Sequence, residues 1–541
     1  MKKTFRTVSL ALAMTMGLGQ ASVFAAAPKA EEDKFGTAKN IIVMIPDGAS
    51  VEAITLARWV DDDHSLNMDD MATGLVRTNN ANTPIADSAP AGTAMATGVK
   101  SESPFVGSYP TKAGMPGAEP FEEARAKMPL ANILEAAERL GKSTGIIATS
   151  NIQHATPADF SAHHPNRNDF STIAEHQVYQ GMEVVLGGGY ESLSPEGRTD
   201  KEDLIPEIKA LGYDYVTNTA EMKAATGEKL WGMFAADAMK KDLDRDPAQE
   251  PSLEEMTAKA LEILSKNDNG FFLMVEGSQP DWAGHANDPV SIVSEILAYD
   301  RAVGVAKEFA KNNPGTVLIS ATDHGTGGMT IGDAATTKGY DKAPLDSFIS
   351  IIKSAKMTPE GAAALVAEDR SNFAQVAKEA FGLDLTEEEV ESVKDIKYLD
   401  TAFGDIISKR SHIGWTTGGH VGGDVGLYVL ANGDAKPLMG TVHNSEIGQY
   451  MADLFDVDLR KLTDELYIYS RDALEAKGAT VAFNYNSGNP ILEVEKDGNK
   501  YSFPTNKNYA LVNGEKVDLG GLVVFNGEKI YIPKTAVELV K

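Results

Sequence analysis

Cysteine is absent from all 541 residues, which removes disulfides, thiolate nucleophiles, iron–sulfur clusters and Cys-based zinc sites. Any metal must be held by His, Asp, Glu and hydroxyls. Positive charge is also scarce: 50 Lys and Arg face 78 Asp and Glu, a formal charge of −28. That leaves no electrostatic footprint for nucleic acid and argues against adhesion to an anionic lipid surface. Beyond the N-terminus no run is apolar enough for a membrane span. What remains is an ordinary globular composition, 42% hydrophobic and 24% charged, long enough for several domains or one large one.

The first residues stand apart. Lys2, Lys3 and Arg6 precede an apolar stretch, Val8 to Leu18, and the small residues Ala25 to Ala27. This is the layout of a secretory signal peptide over residues 1–27; an uncleaved anchor is the alternative. Its removal takes away three positive charges, so −28 becomes −31. The expected location is extracellular or periplasmic, where disulfides are permitted but unused. Residues 28–39 read as a loose polar linker.

From Asn40 short β-rich runs alternate with helical patterns. Strands are expected at Ile41–Ile45, Gly145–Thr149, Phe271–Val275, Val317–Ala321 and Val425–Leu430. Helices are expected around Val51–Val60, Leu130–Leu140, Leu253–Leu264, Ile292–Phe309 and Ile447–Phe455. The alternation predicts an α/β fold with a mostly parallel central sheet and helices on both faces, which binds ligands at the carboxyl ends of its strands. Residues 342–409 turn helical and charged, as an insertion would. After Ala476 the chain is rich in Val, Tyr, Ile and Phe, with Asp497-Gly498, Asn513-Gly514 and Asn526-Gly527 as hairpin signals. The expected division is a catalytic domain at 40–475 and a small all-β module at 476–541, which contains no His.

Chemistry-bearing residues gather at the strand ends. Asp47 follows Ile41–Ile45, Glu276 with Asp281 and His285 follows Phe271–Val275, and Asp323-His324 follows Val317–Ala321. His420 lies among glycines in Gly418–Asp424. Singly, each acid is more often a solvated loop end or a cap. Together they deliver Asp, Glu and His to one edge, a Cys-free set suited to a catalytic zinc or manganese cluster. Two-metal sites of this kind serve phosphoryl displacement. Ser88 stands before an apparent helix running through Met95, where a hydroxyl suits an anion but is equally a simple N-cap. The residues alone leave both roles open.

Six ordered blocks carry a resemblance: IPDG at Ile45–Gly48, DSAPAGTAMATG at Asp87–Gly98, QHATPADFSAHHPNR at Gln153–Arg167, VEGSQPDWAGH at Val275–His285, ATDH at Ala321–His324 and GGHVGGD at Gly418–Asp424. In their order and spacing the chain resembles the alkaline phosphatase family from about Asn40 to Phe455. The resemblance implies a phosphomonoesterase in which Ser88 is transiently phosphorylated. Asp281, His285 and His420 match the ligands of a first zinc, and Asp47, Asp323 and His324 those of a second, beside the serine. Asp47, Thr156 and Glu276 match a third site, usually magnesium. Arg167 matches the arginine that clamps two phosphate oxygens, with Asp87 orienting it.

Some positions depart from the common pattern. Pro90 follows the serine closely, but in a first helical turn it is tolerated. His154 stands where some members carry Asp near the third metal, which bears on that metal's identity. Trp282 reads as a pocket rim or as packing. His163 and His164 read as solvated loop histidines or as donors to the ligand residues, and His412 and His443 as solvated; His64 and His176 carry no signal. A sulfatase is excluded because Gly92 occupies its arginine position. A phosphodiesterase or phosphonate hydrolase remains an alternative, and a secreted metal-binding or surface-binding protein is the reading from another class. The tail faintly resembles the β domains related to copper amine oxidase N-terminal domains, with contact to cell wall or polymer as its expected role.

Overall fold

The computed structural model describes residues 35–394, 396–485 and 489–541. The signal peptide at 1–27 and the start of the linker lie outside the described residues. The linker's end is not loose: the Phe35 ring meets Tyr450 edge-on at 4.7 Å, and Ala38 N donates to the Leu454 carbonyl.

The apolar run of β1 (Asn40–Pro46) is buried throughout, as expected of a strand covered on both faces. Its alternate side chains serve two different cores, Ile42 and Met44 one, Ile41, Val43 and Ile45 the other. In chain order it is followed by β2 (Ala72–Arg77), β3 (Ser143–Asn151), β4 (Val184–Gly188), β5 (Asp214–Val216), β6 (Leu230–Met233), β7 (Phe271–Gly277) and β8 (Thr316–Ala321). Four two-residue strands come next: β9 (Gly325–Thr326), β10 (Thr330–Ile331), β11 (Ile413–Gly414) and β12 (His420–Val421). Then come β13 (Val425–Ala431) and β14 (Gly440–His443). The large sheet has ten strands in the order β14-β2-β13-β8-β1-β7-β3-β4-β6-β5. All its pairings are parallel except those of β13, which runs antiparallel to β8 and β2.

Local chemistry starts the helices where the strands end. Ser50 caps Val51–Val60, accepting from Ala53 N. A capping box of Ser252 and Glu255 opens Leu253–Leu264, and Asp288 with Pro289 opens Pro289–Asn312. The region expected as an insertion holds, among the described residues, five α-helices between β10 and β11, from Asp346–Ser354 to Leu399–Arg410. It leaves and returns through two antiparallel ribbons, β9 with β12 and β10 with β11.

The C-terminal residues form a five-stranded antiparallel sheet, running from the strand Thr480–Asn484 to the strand Glu515–Asp518, around its own core of residues such as Leu492 and Phe503. Asp497-Gly498 and Asn513-Gly514 make its tight turns, all four residues at positive φ. Asn526 is not left-handed and belongs to a longer loop. A strand at Ile468–Tyr469 already pairs with Ile530–Ile532, so pairing with the tail begins before Ala476. Among the described residues no helix is long and apolar enough to cross a membrane.

Candidate active site

Neighbouring strands β8, β1 and β7 end side by side, and Asp323, Asp47 and Glu276 emerge there, each wholly buried. Gly48 turns the chain after Asp47 at φ 71°, where a Cβ would sit 2.5 Å from the Asp281 Cα. Only glycine allows that approach. Asp281 and His285 share one face of the helix Gln279–His285, four residues apart, with 3.4 Å between His285 Nε2 and the carboxylate.

Two histidines are oriented by carbonyls. His420 Nδ1 donates to Ala86 O and His285 Nδ1 to Gly418 O, both at 2.7 Å. These bonds assign the tautomers and turn both Nε2 atoms inward, 3.1 Å apart. His420 Nε2 is 3.5 Å from Asp281, and the His420 ring stacks on His324 at 3.8 Å. His324 Nε2 lies 3.2 Å from Asp323 and 3.6 Å from Asp47. Ligand atoms of Asp47, Asp323 and His324 lie within 4.8 Å of one another, as do those of Asp281, His324 and His420, and those of Asp47, His154 and Glu276.

Ser88 is not a cap. It is the first residue of the helix Ser88–Thr97, Asp87 occupies the cap position, and no side chain bonds there. The Asp87 carboxylate instead receives Arg167 NH1 and, at 2.5 Å, Ser103 Oγ. The Ser88 hydroxyl is left at the helix start, 3.2 Å from His324 Nε2. Pro90 sits in the first turn without disturbing the helix. Arg167 NH2 donates to His154 Nε2 at 3.1 Å, and the His154 ring meets the half-buried Trp282 edge-on at 5.7 Å.

Crowded burial shows in the proton affinities. Burial first, then Asp323 and Asp281, pushes Asp47 well above the carboxylate range. Burial lifts Glu276 to about 7. It would raise Asp87 too, but the Arg167 charge and the Ser103 bond hold that carboxyl below its usual value. His154 is pushed down to about 3 by burial and then by Arg167, so it is neutral.

The residues fit the implied cations. Both Asp47 carboxylate oxygens, one oxygen each of Glu276 and Asp323, the Thr156 hydroxyl and His154 Nδ1 are buried without any hydrogen-bond partner. Buried polar atoms are rarely left so; the five oxygens are lone-pair donors placed for cations, while His154, accepting from Arg167 at Nε2, carries its proton on Nδ1.

Several functional neighbours escaped the sequence reading. Thr326 Oγ1 donates to Asp281 at 2.5 Å and also touches His324; its place two residues after His324 was the available signal. Ser103 carried none. One reading of histidine is corrected: His163 is fully buried, not a solvated loop histidine, and His176, which carried no signal, is buried beside it. His163 packs among Gly107 O, Glu135 and Tyr467, and His176 bonds to Asn506. Neither touches the ligand side chains.

Oxygen and nitrogen donors with no sulfur, beside an arginine fork and a hydroxyl at a helix start, suit hard and borderline cations acting on an anion. That is the class of metal-dependent phosphoester hydrolases. The family model described as "Alkaline phosphatase" matches residues 38–457. "Alkaline phosphatase 3" of Bacillus subtilis is 34% identical over 78% of this chain and 90% of its own length. "Repressible alkaline phosphatase" of Saccharomyces cerevisiae is 31% identical over 79% and 83%. Among solved structures, the Thermus thermophilus alkaline phosphatase superposes with a TM-score of 0.69 at 25% identity, covering 78% of this chain and 92% of that one. The chain belongs to the alkaline phosphatase family of phosphoric monoester hydrolases.

Proposed function

We propose that the chain is an exported alkaline phosphatase that cleaves phosphate monoesters through a phosphoseryl intermediate on Ser88. The observation that carries this is the Ser88 hydroxyl, released from capping, beside a ring of unpartnered ligand atoms. Asp281, His285 and His420 would hold one zinc ion and Asp47, Asp323 and His324 a second; Asp47, Thr156 and Glu276, with His154 beside them, would hold a third cation. Variants of the alkaline phosphatase from the Antarctic bacterium TAB5 with a histidine replaced by Glu or Asp have Mg bound in the M3 site, so magnesium is one candidate for the third. When bound, such cations lower a hydroxyl's pKa and neutralise the attacking and leaving oxygens.

Arg167, held by Asp87, presents its fork to two phosphate oxygens. Ser88 Oγ attacks phosphorus in line; the serine O–P bond forms as the ester O–P bond breaks, and the alcohol leaves with a proton. Water then attacks phosphorus from the side the alcohol left, opposite Ser88 Oγ; its O–P bond forms as the serine O–P bond breaks, and its proton goes to Ser88 as inorganic phosphate is released. Export rests on residues 1–27, and sequencing the N-terminus of secreted material tests it.

Acid quenching with a radiolabelled monoester tests the chemistry. Label on Ser88, lost in Ser88→Ala, is expected; turnover persisting in that variant overturns the reading. Faster hydrolysis of bis-p-nitrophenyl phosphate than of p-nitrophenyl phosphate would make it a diesterase.

A further inference from the structure

The family match stops at residue 457, yet the residues beyond it reach the loop that carries Arg167. That loop pairs with 104–107: Val106 and His164 exchange backbone hydrogen bonds at 2.9 and 3.0 Å, and Arg167 N donates to Pro104 O. The neighbouring Ser103 holds Asp87, the partner of the Arg167 guanidinium. Both the backbone and the fork of Arg167 therefore depend on where this two-stranded strap lies.

His163 anchors the base of the strap. Its Nδ1 faces Gly107 O at 3.0 Å, tying the two sides together. Its Nε2 lies 2.7 Å from the Tyr467 hydroxyl, which donates to Glu135. Its backbone N–H donates to His176 Nδ1 at 3.2 Å, and His176 Nε2 faces Asn506 Oδ1 at 3.2 Å. Asn506 is itself fixed, left-handed at φ 67°, bonded through its backbone N–H to Val523 O and through its amide to Glu175. Every one of these side chains is buried, where a lost partner leaves an unsatisfied group.

We propose that Tyr467 and Asn506, both outside the family match, are positioning residues for phosphate binding: by holding His163 from two sides they set the strap and so the fork of Arg167. The proposal rests on the reading of Arg167 as the phosphate clamp. It makes the C-terminal segment part of the catalytic unit, in place of a detachable surface-binding module.

The test uses the full-length, cation-loaded enzyme. Tyr467→Phe and Asn506→Ala are each made alone and combined with Arg167→Ala. Inhibition by inorganic phosphate, KM and kcat for p-nitrophenyl phosphate, and the urea midpoint are measured. Each single variant is expected to weaken phosphate inhibition and raise KM together by roughly threefold to tenfold, with kcat less affected, as coupled neighbours do. In the Arg167→Ala background the same changes are expected to shift phosphate inhibition by less than about twofold. Tyr467→Phe keeps the ring and serves where Asn506→Ala does not fold. A lower urea midpoint with unchanged phosphate inhibition overturns the proposal, as does an equal shift in both backgrounds. If Arg167→Ala alone leaves phosphate inhibition unchanged, the clamp reading falls first and this one with it.

Discussion

At the strand ends Asp47 keeps both carboxylate oxygens without a donor, and Thr156, Glu276 and Asp323 each keep one such atom. Behind the Arg167 strap the opposite holds. Glu135 accepts from Asn132 N and from Tyr467 and lies 3.2 Å from His163 Nε2, and both ring nitrogens of His163 and of His176 have partners. The two clusters are both buried, and each holds a glutamate. Protein atoms complete one of them, whereas the other is complete only with something added. A buried polar group is costly unless paired, and the proposed cations would pair those at the strand ends.

The largest effect expected from this contrast lies in Ser88. Ser88→Ala should lower kcat on p-nitrophenyl phosphate by at least about a thousandfold, while the urea midpoint shifts stability by less than about 1 kcal/mol because no cap is lost. Retained activity would break the contrast at its functional end. The structural end is tested by Glu135→Leu, which strips His163 and Tyr467 of their shared acceptor. It should cost about 3–5 kcal/mol in urea unfolding.

The matching change at the strand ends sharpens the comparison by reversing its sign. In chelator-treated protein, Glu276→Leu removes a buried carboxylate with an unpaired oxygen and should stabilise the fold by about 1–3 kcal/mol. A loss there as large as that of Glu135→Leu would erase the distinction.

Glu295 lies between the two cases and reads the contrast through pH. It is buried beside one donor, Asp242 N at 2.7 Å, and burial lifts its carboxyl from 4.5 to about 8. A raised folded value means that its contribution is full below about pH 4.5 and is lost as pH rises through about 8. Relative to Glu295→Gln, the parent should therefore lose stability progressively between those limits, by up to about 5 kcal/mol. Parallel stability curves against pH for the two proteins would count against it.

How much was legible follows from the distances involved. The helices at Val51–Val60 and Leu253–Leu264 and the strands ending at Asp47, Glu276 and Asp323 carry their signals locally, in period, caps and apolar runs. Short strands such as Asp214–Val216 have too few residues to show a period. The two roles of Ser88 share one local pattern; only the direction of the Asp87 side chain, toward Arg167, separates them. The burial of His163 and His176 was invisible because their partners Tyr467 and Asn506 lie 304 and 330 residues away. A lone histidine beside charged residues looks the same in water and in a packed wall.

The ribbons β9 with β12 and β10 with β11 bring both ends of the five-helix excursion together on one short stem next to His324 and His420. Chain closed on such a stem can be lengthened, trimmed or exchanged at little entropic expense, since closure grows only with the logarithm of length. Descent can thus remodel this excursion wholesale while leaving His324 and His420 where they stand.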